Sequence, residues 1–218
     1  MAILDQIKSA RTVIRCARRQ YHYPYAGYMD THQCIFLHIP KTGGSSVRYA
    51  LGAPERGRTH LSWTVYQQSN PEKFGRYFKF AFVRNPLDRA YSAYTYLKRG
   101  GNGNEDIKAS KIIQEYDSFD DFVLRGLAQG KFLNHIMFSP QVSFICDWSG
   151  DLKVDFLGCL ENFSEDFLKL SEYINVLSDA PHTNSSPAKE KHQFDFSEEA
   201  DNVLRRIYLL DFLWLHYE

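Results

Sequence analysis

The sequence predicts an α/β fold organised around a parallel sheet. Three observations carry this. Short apolar runs at Cys34–Ile39, Phe78–Val83 and Val154–Leu160 have the length and composition of buried strands. A helical segment follows each run, from Ser45, from Pro86 and from about Ser164. Strands that alternate with helices pair in parallel, because a crossover helix returns the chain to the same end of the sheet.

Each element has its own local reason. The segment Ile3–Arg19 sets Ile3, Leu4, Ile7, Val13 and Ile14 against Lys8, Arg11, Arg15, Arg18 and Arg19, an amphipathic pattern open to two readings: a helix docked on the core, or attachment to an anionic membrane. A tyrosine-rich loop, Tyr21 to Tyr28, closes this appendage, so residues 1–30 are set apart from a main domain at 31–218. The first strand run stops at Pro40 and at Gly43–Gly44, and a helix covers Ser45 to Leu51. Leu61 to Gln68 reads as helical. Asn85 supplies an N-cap and Pro86 the first helical position for a helix running to about Lys98. Gly100–Asn104 is a loop, and Ser118 with Asp121 has the form of a capping box. A helix from about Ser164 to Leu177, a polar loop at Pro181–Lys191 and an amphipathic helix from Glu198 to about Phe212 complete the chain.

Composition narrows the function classes. The 218 residues fit one domain with a full core. Lysine plus arginine equals aspartate plus glutamate at 26 each, so bulk charge gives no footprint for a nucleic-acid partner. Anion binding must then come from local placement of charge. Cys16, Cys34, Cys146 and Cys159 form no CxxC pair and no zinc spacing, so no metal is implied. Cys34 and Cys159 sit in strand runs as buried thiols, which favours a reducing compartment. No stretch approaches a membrane span, and charges at Asp5, Lys8 and Arg11 interrupt any signal-peptide core; a cytoplasmic protein is expected.

Two loops leave strand ends, where open parallel sheets bind ligands. The first reads HIPKTGGSS. Gly43 and Gly44 let the backbone curl so that several N–H groups face one point, and the following helix adds its positive end. Lys41 adds a charge, and Thr42, Ser45 and Ser46 add hydroxyls. The lysine precedes both glycines, so this is not a Walker A loop. The second reads FAFVRNPLDRAYSAY. Arg84 ends its strand, and Ser92 lies roughly two turns into the next helix. Arg84 and Ser92 can converge on one anion, or Arg84 can pair with Asp88. Two anion sites on separate strand ends point to a ligand with two separated anionic groups.

In this order the two motifs resemble the sulfotransferases that use 3′-phosphoadenosine-5′-phosphosulfate (PAPS), and within them the carbohydrate O-sulfotransferases of the chondroitin and heparan 2-O type with their bacterial relatives. The similarity extends from about Cys34 to the end, through FSPQVSF, VDFLGCLEN and PHTNSS. It implies a three-layer, P-loop-like fold with the parallel sheet flanked by helices. It also implies that Lys41, Thr42, Gly43, Gly44, Ser45 and Ser46 hold the 5′-phosphosulfate, and that Arg84 and Ser92 hold the 3′-phosphate. Ser186, in PHTNSS, is the candidate for a later loop near that phosphate; as a sequence it is equally a solvated polar loop.

Sulfo transfer needs a base for the acceptor hydroxyl and positive charge for the leaving phosphate. Lys41 answers the second need. Eight histidines compete for the first. By sequence His60 is a histidine near a helix start, open to a capping or core role; the resemblance gives it the role of base. His38 is next, with a structural role favoured; His135 and His182 read as surface or loop residues, and Glu161, which follows a strand and could face the pocket, reads as a cap or salt bridge. Ser139 stands before Pro140–Gln141, where relatives often carry a basic residue, which leaves the acceptor open. The expected activity is transfer of the sulfo group of PAPS to a glycan or other small hydroxylated acceptor, with PAP as product. A P-loop-type kinase or nucleotide hydrolase, and a non-catalytic glycan-binding relative, are the alternatives. The oligomeric state is not readable.

Overall fold

The computed structural model of the chain describes residues 23–54, 60–102, 104–174, 176 and 196–218. The amphipathic segment Ile3–Arg19 and the loop carrying His182 and Ser186 lie outside the described residues. Helix α1 (Gly27–His32) leads into strand β1 (Cys34–Phe36), followed by α2 (Gly44–Ala50), α3 (Trp63–Ser69) and α4 (Pro71–Arg76). Next come β2 (Phe78–Val83), α5 (Pro86–Lys98), α6 (Asn104–Ile113) and α7 (Phe119–Phe122), which runs on into a π-helical turn, Val123–Leu127. Then follow α8 (Val142–Ile145), β3 (Phe156–Cys159), a 3-10 turn (Leu160–Asn162), α9 (Phe163–Ser171), α10 (Glu198–Ile207) and α11 (Leu209–Trp214).

The three strands form one parallel sheet in the order β1-β2-β3. Cys34 lies opposite Phe78 and Phe36 opposite Phe80; on the other side Phe80 meets Phe156 and Val83 meets Cys159. Alternation along a strand sends neighbours to opposite faces. Ile35, Leu37, Ala81 and Val83 therefore join Met29, Tyr66 and Ile145 on one face, and Cys34, Phe36, Phe80 and Phe82 join Val47, Phe163 and Leu170 on the other. Helices cover both faces, which gives the expected three layers. A third cluster, from Leu87, Leu97, Phe122, Phe138, Leu204 and Tyr208, binds α5 to the later helices. Among the described residues no helix is long and apolar enough to cross a membrane.

Several expected boundaries move. β1 stops at Phe36, although Leu37 N still donates to Phe80 O at 2.9 Å. β3 begins at Phe156, because Asp155 is pinned beforehand: its N donates to Lys79 O, and its carboxylate accepts from Lys79 N at 2.8 Å. The predicted capping box is shifted by one residue. Ser118 Oγ accepts from Asp121 N, but the Asp121 carboxylate accepts from Asp117 N. Residue 104 starts a helix rather than ending a loop. α9 ends at Ser171, short of Leu177. The closing helix breaks at Tyr208, which is fully buried and donates its hydroxyl to Phe138 O at 3.1 Å.

Candidate functional site

Parallel strands bring three loops to one end of the sheet: 37–43 after β1, Arg84–Asn85 after β2, and Leu160–Asn162 after β3. The first loop folds tightly. Lys41 has φ 70° and Gly43 φ 80°, so the backbone twice enters the left-handed region before α2 starts. For a lysine this conformation is strained, and such strain is typical of loops that hold a ligand. The Thr42 hydroxyl donates to Ile39 O at 3.0 Å and is buried, which braces the turn from inside. Ser46 N donates to Gly43 O at 3.0 Å and opens the helix.

Both glycines are required by their surroundings. A Cβ on Gly43 would stand 2.7 Å from Leu160 Cδ1, and one on Gly44 would stand 2.0 Å from His38 Nε2. The His38 imidazole thus lies directly against the Gly44 backbone and stacks on Phe36 at 5.1 Å between ring centroids. It is buried, in keeping with a structural role.

His60 approaches the same place from the segment before α3. Its ring centroid lies 4.3 Å from that of His38, and its Nδ1 is 2.8 Å from His38 O. A carbonyl oxygen can only accept, so Nδ1 carries the hydrogen of that bond. In the neutral ring Nε2 is then the lone-pair nitrogen. A proton acceptor beside the glycine loop is the form a general base requires.

Lys41 Nζ sits over the Tyr96 ring, 4.4 Å from its centroid. Tyr96 is on α5, four residues after Ser92, so the two share one helix face. This draws the first loop, with its cation, against the helix that carries Ser92. Arg84 is partly buried, and burial lowers its pKa while Asp88, Glu161 and Tyr217 act in the opposite sense. Asn85 caps α5 as expected, its Oδ1 accepting from Leu87 N and Asp88 N.

The sequence gives no sign of Gln141 and Asp211, which hold the second loop, whereas Glu161 takes the cap role read for it. Gln141, fully buried, accepts from Arg84 N and donates to Arg84 O. Glu161 Oε1 accepts from Asn85 N at 2.6 Å, a cap-like role rather than a catalytic one. Asp211, also fully buried, accepts from Gln141 N and Val142 N. No periodicity or spacing signals these partners, because they meet only once the sheet and α11 are assembled. His135 stands apart in the helical part; burial lowers its pKa, with Asp106 and Glu105 acting in the opposite sense.

With Lys41 on the curled loop after β1 and Arg84 at the end of β2, the chain is an α/β protein of P-loop-like architecture. The sequence matches the sulfotransferase family over residues 27–218, and the chain belongs to that family. No curated protein and no solved structure matches it.

Proposed function

We propose that this sulfotransferase takes its sulfo group from PAPS and passes it to the hydroxyl of a carbohydrate or similar small molecule, leaving PAP. The observation that carries this is the pair of cationic loops at one sheet end with the His60 imidazole beside the first. The donor set fits a ligand with two separated anions. Lys41, the 42–46 amides and the Ser45 and Ser46 hydroxyls suit the 5′-phosphosulfate; Arg84 and Ser92 suit the 3′-phosphate, with Ser186 as a further ligand from its loop. When bound, PAPS supplies a sulfur whose bond to the phosphate oxygen is weak.

The chain's own residues do the rest. His60 Nε2 takes the proton of the acceptor hydroxyl as that oxygen attacks sulfur. The bond from Nδ1 to His38 O orients the ring and stabilises the charge it gains. Lys41 and the loop amides offset negative charge on the departing phosphate oxygen, which preorganised donors do at no cost of reorganisation. The carbohydrate acceptor rests on the likeness of the two motifs to the carbohydrate O-sulfotransferases. The thiols Cys34, Cys146 and Cys159 are free, which suits the reducing cytoplasm.

Transfer of labelled sulfo group from PAPS to a panel of glycans tests this, with His60→Ala alongside the unaltered chain. The variant is expected to bind PAP as tightly as the parent and to transfer about a hundred- to ten-thousand-fold more slowly, the usual worth of a general base. Undiminished transfer by His60→Ala would remove His60 from the chemistry.

A further inference from the structure

The Arg84 backbone is held by a side chain that imitates a strand. The β2–β3 ladder ends where Val83 meets Cys159. One residue further, Gln141 takes over: its Oε1 accepts from Arg84 N at 2.9 Å, and its Nε2 donates to Arg84 O at 2.7 Å. One side chain thus supplies the donor and the acceptor that two residues of a parallel neighbouring strand would otherwise supply. Gln141 is itself fixed. Its N donates to Asp211 Oδ2 at 2.9 Å, and Val142 N donates to Asp211 Oδ1 at 3.0 Å. Arg89, fully buried in α5, donates to Met137 O at 3.1 Å and to Ser139 O at 2.6 Å, which anchors the approach to Pro140. On the far side Glu161 Oε1 accepts from Asn85 N at 2.6 Å, while its Oε2 accepts from the Tyr217 hydroxyl at 3.2 Å. Two side chains from distant parts of the sequence thus clamp two consecutive peptide groups.

We propose that Gln141 and Glu161 are positioning residues for Arg84, and that through it they set the protein's preference for nucleotides bearing a 3′-phosphate. The inference rests on the reading of Arg84 as the ligand of that phosphate. An arginine discriminates by the placement of its planar fork, and a long side chain carries any shift of its backbone out to the fork. Holding such a group within about half an ångström requires support from a second set of residues. The Gln141 amide matches its two partners with one acceptor and one donor. A carboxylate there has acceptors only, so it would set an oxygen against Arg84 O.

The test compares two nucleotides that differ only in the 3′-phosphate, PAP and adenosine 5′-monophosphate, by calorimetry on the full chain. The ratio of their affinities reads the 3′-phosphate preference alone. The unaltered chain is expected to prefer PAP, and Arg84→Ala to abolish the preference. Gln141→Glu is expected to lower the ratio about tenfold while the monophosphate affinity stays within about twofold. Glu161→Ala is expected to lower it about threefold, as the hydrogen bond to the Asn85 amide, of modest net worth, is lost together with the one from Tyr217. Glu161 is exposed, so that variant keeps the core closed and decides the matter even if Gln141→Glu does not fold. An equal loss for both nucleotides marks a general structural role and overturns the proposal. A preference that Arg84→Ala abolishes but the folded clamp variants leave intact overturns it alone. No preference in the unaltered chain overturns the reading of Arg84, and this inference with it.

Discussion

Gly44 has no room for a side chain. Its backbone lies where the His38 ring passes, and a Cβ would stand 2.0 Å from Nε2. His38 is held between Phe36 and His60, so it cannot step aside without disturbing the ring proposed as the base. Gly44→Ala is expected to cost about 1–3 kcal/mol, the range for overpacking a tight core. Gly75 is the control: a Cβ there meets nothing within 4 Å. Gly75→Ala is expected to stabilise by about 0.5–1 kcal/mol, because alanine loses less backbone freedom in a helix. Thermal unfolding of the two variants measures both, and equal melting temperatures would mean that the His38 ring does not crowd Gly44. At this scale the sequence is eloquent only about neighbours. Lys41, Gly43 and Gly44 stand together and announce a curled loop. The contact of His60 with His38 spans 22 positions and follows from tertiary placement that no spacing reveals.

Helices are legible where their ends are chemically marked. α5 starts at Pro86 behind its Asn85 cap and ends at Lys98, as read, because cap and first turn are local. The closing helix was not, since its break at Tyr208 depends on a hydrogen bond to Phe138, 70 residues away. That break separates α10 from α11, the element whose Asp211 holds Gln141 and Val142. At the start of α7, Asp121 accepts from Arg125 and from Asp117 N. Arg125 holds the Asp121 carboxyl down to about 2, against an ordinary value of 3.8. A carboxylate with a lowered folded pKa stabilises above its unfolded pKa, and that contribution is lost as pH falls through the folded value. The loss therefore belongs between about pH 4 and pH 2. Asp121→Asn is expected to flatten the acid-side fall of the melting temperature in that window and to leave PAP binding unchanged. An identical pH profile for the variant would remove this pair from the acid response.

The whole molecule follows from the alternation of strands and helices. Three apolar runs gave a parallel sheet with both faces covered, because strands buried on both sides are apolar almost throughout, Lys79 near the start of β2 being the exception, and crossovers must return to the same end. The same topology gathers the loops of the two anion motifs at one end of the sheet, so the candidate site was legible as two halves. Their joining was not: Lys41 over Tyr96, Gln141 on Arg84 and Glu161 on Asn85 each need the assembled sheet. We propose that these halves make one site for a nucleotide with two anionic ends. Calorimetric titration with PAP, beside magnesium-ATP, tests it most directly when repeated with Lys41→Ala and Arg84→Ala. PAP is expected to bind, and each substitution to weaken it by about 1.5–3 kcal/mol, the worth of a charged hydrogen bond. Binding of magnesium-ATP in place of PAP, or PAP binding that neither substitution changes, would contradict it.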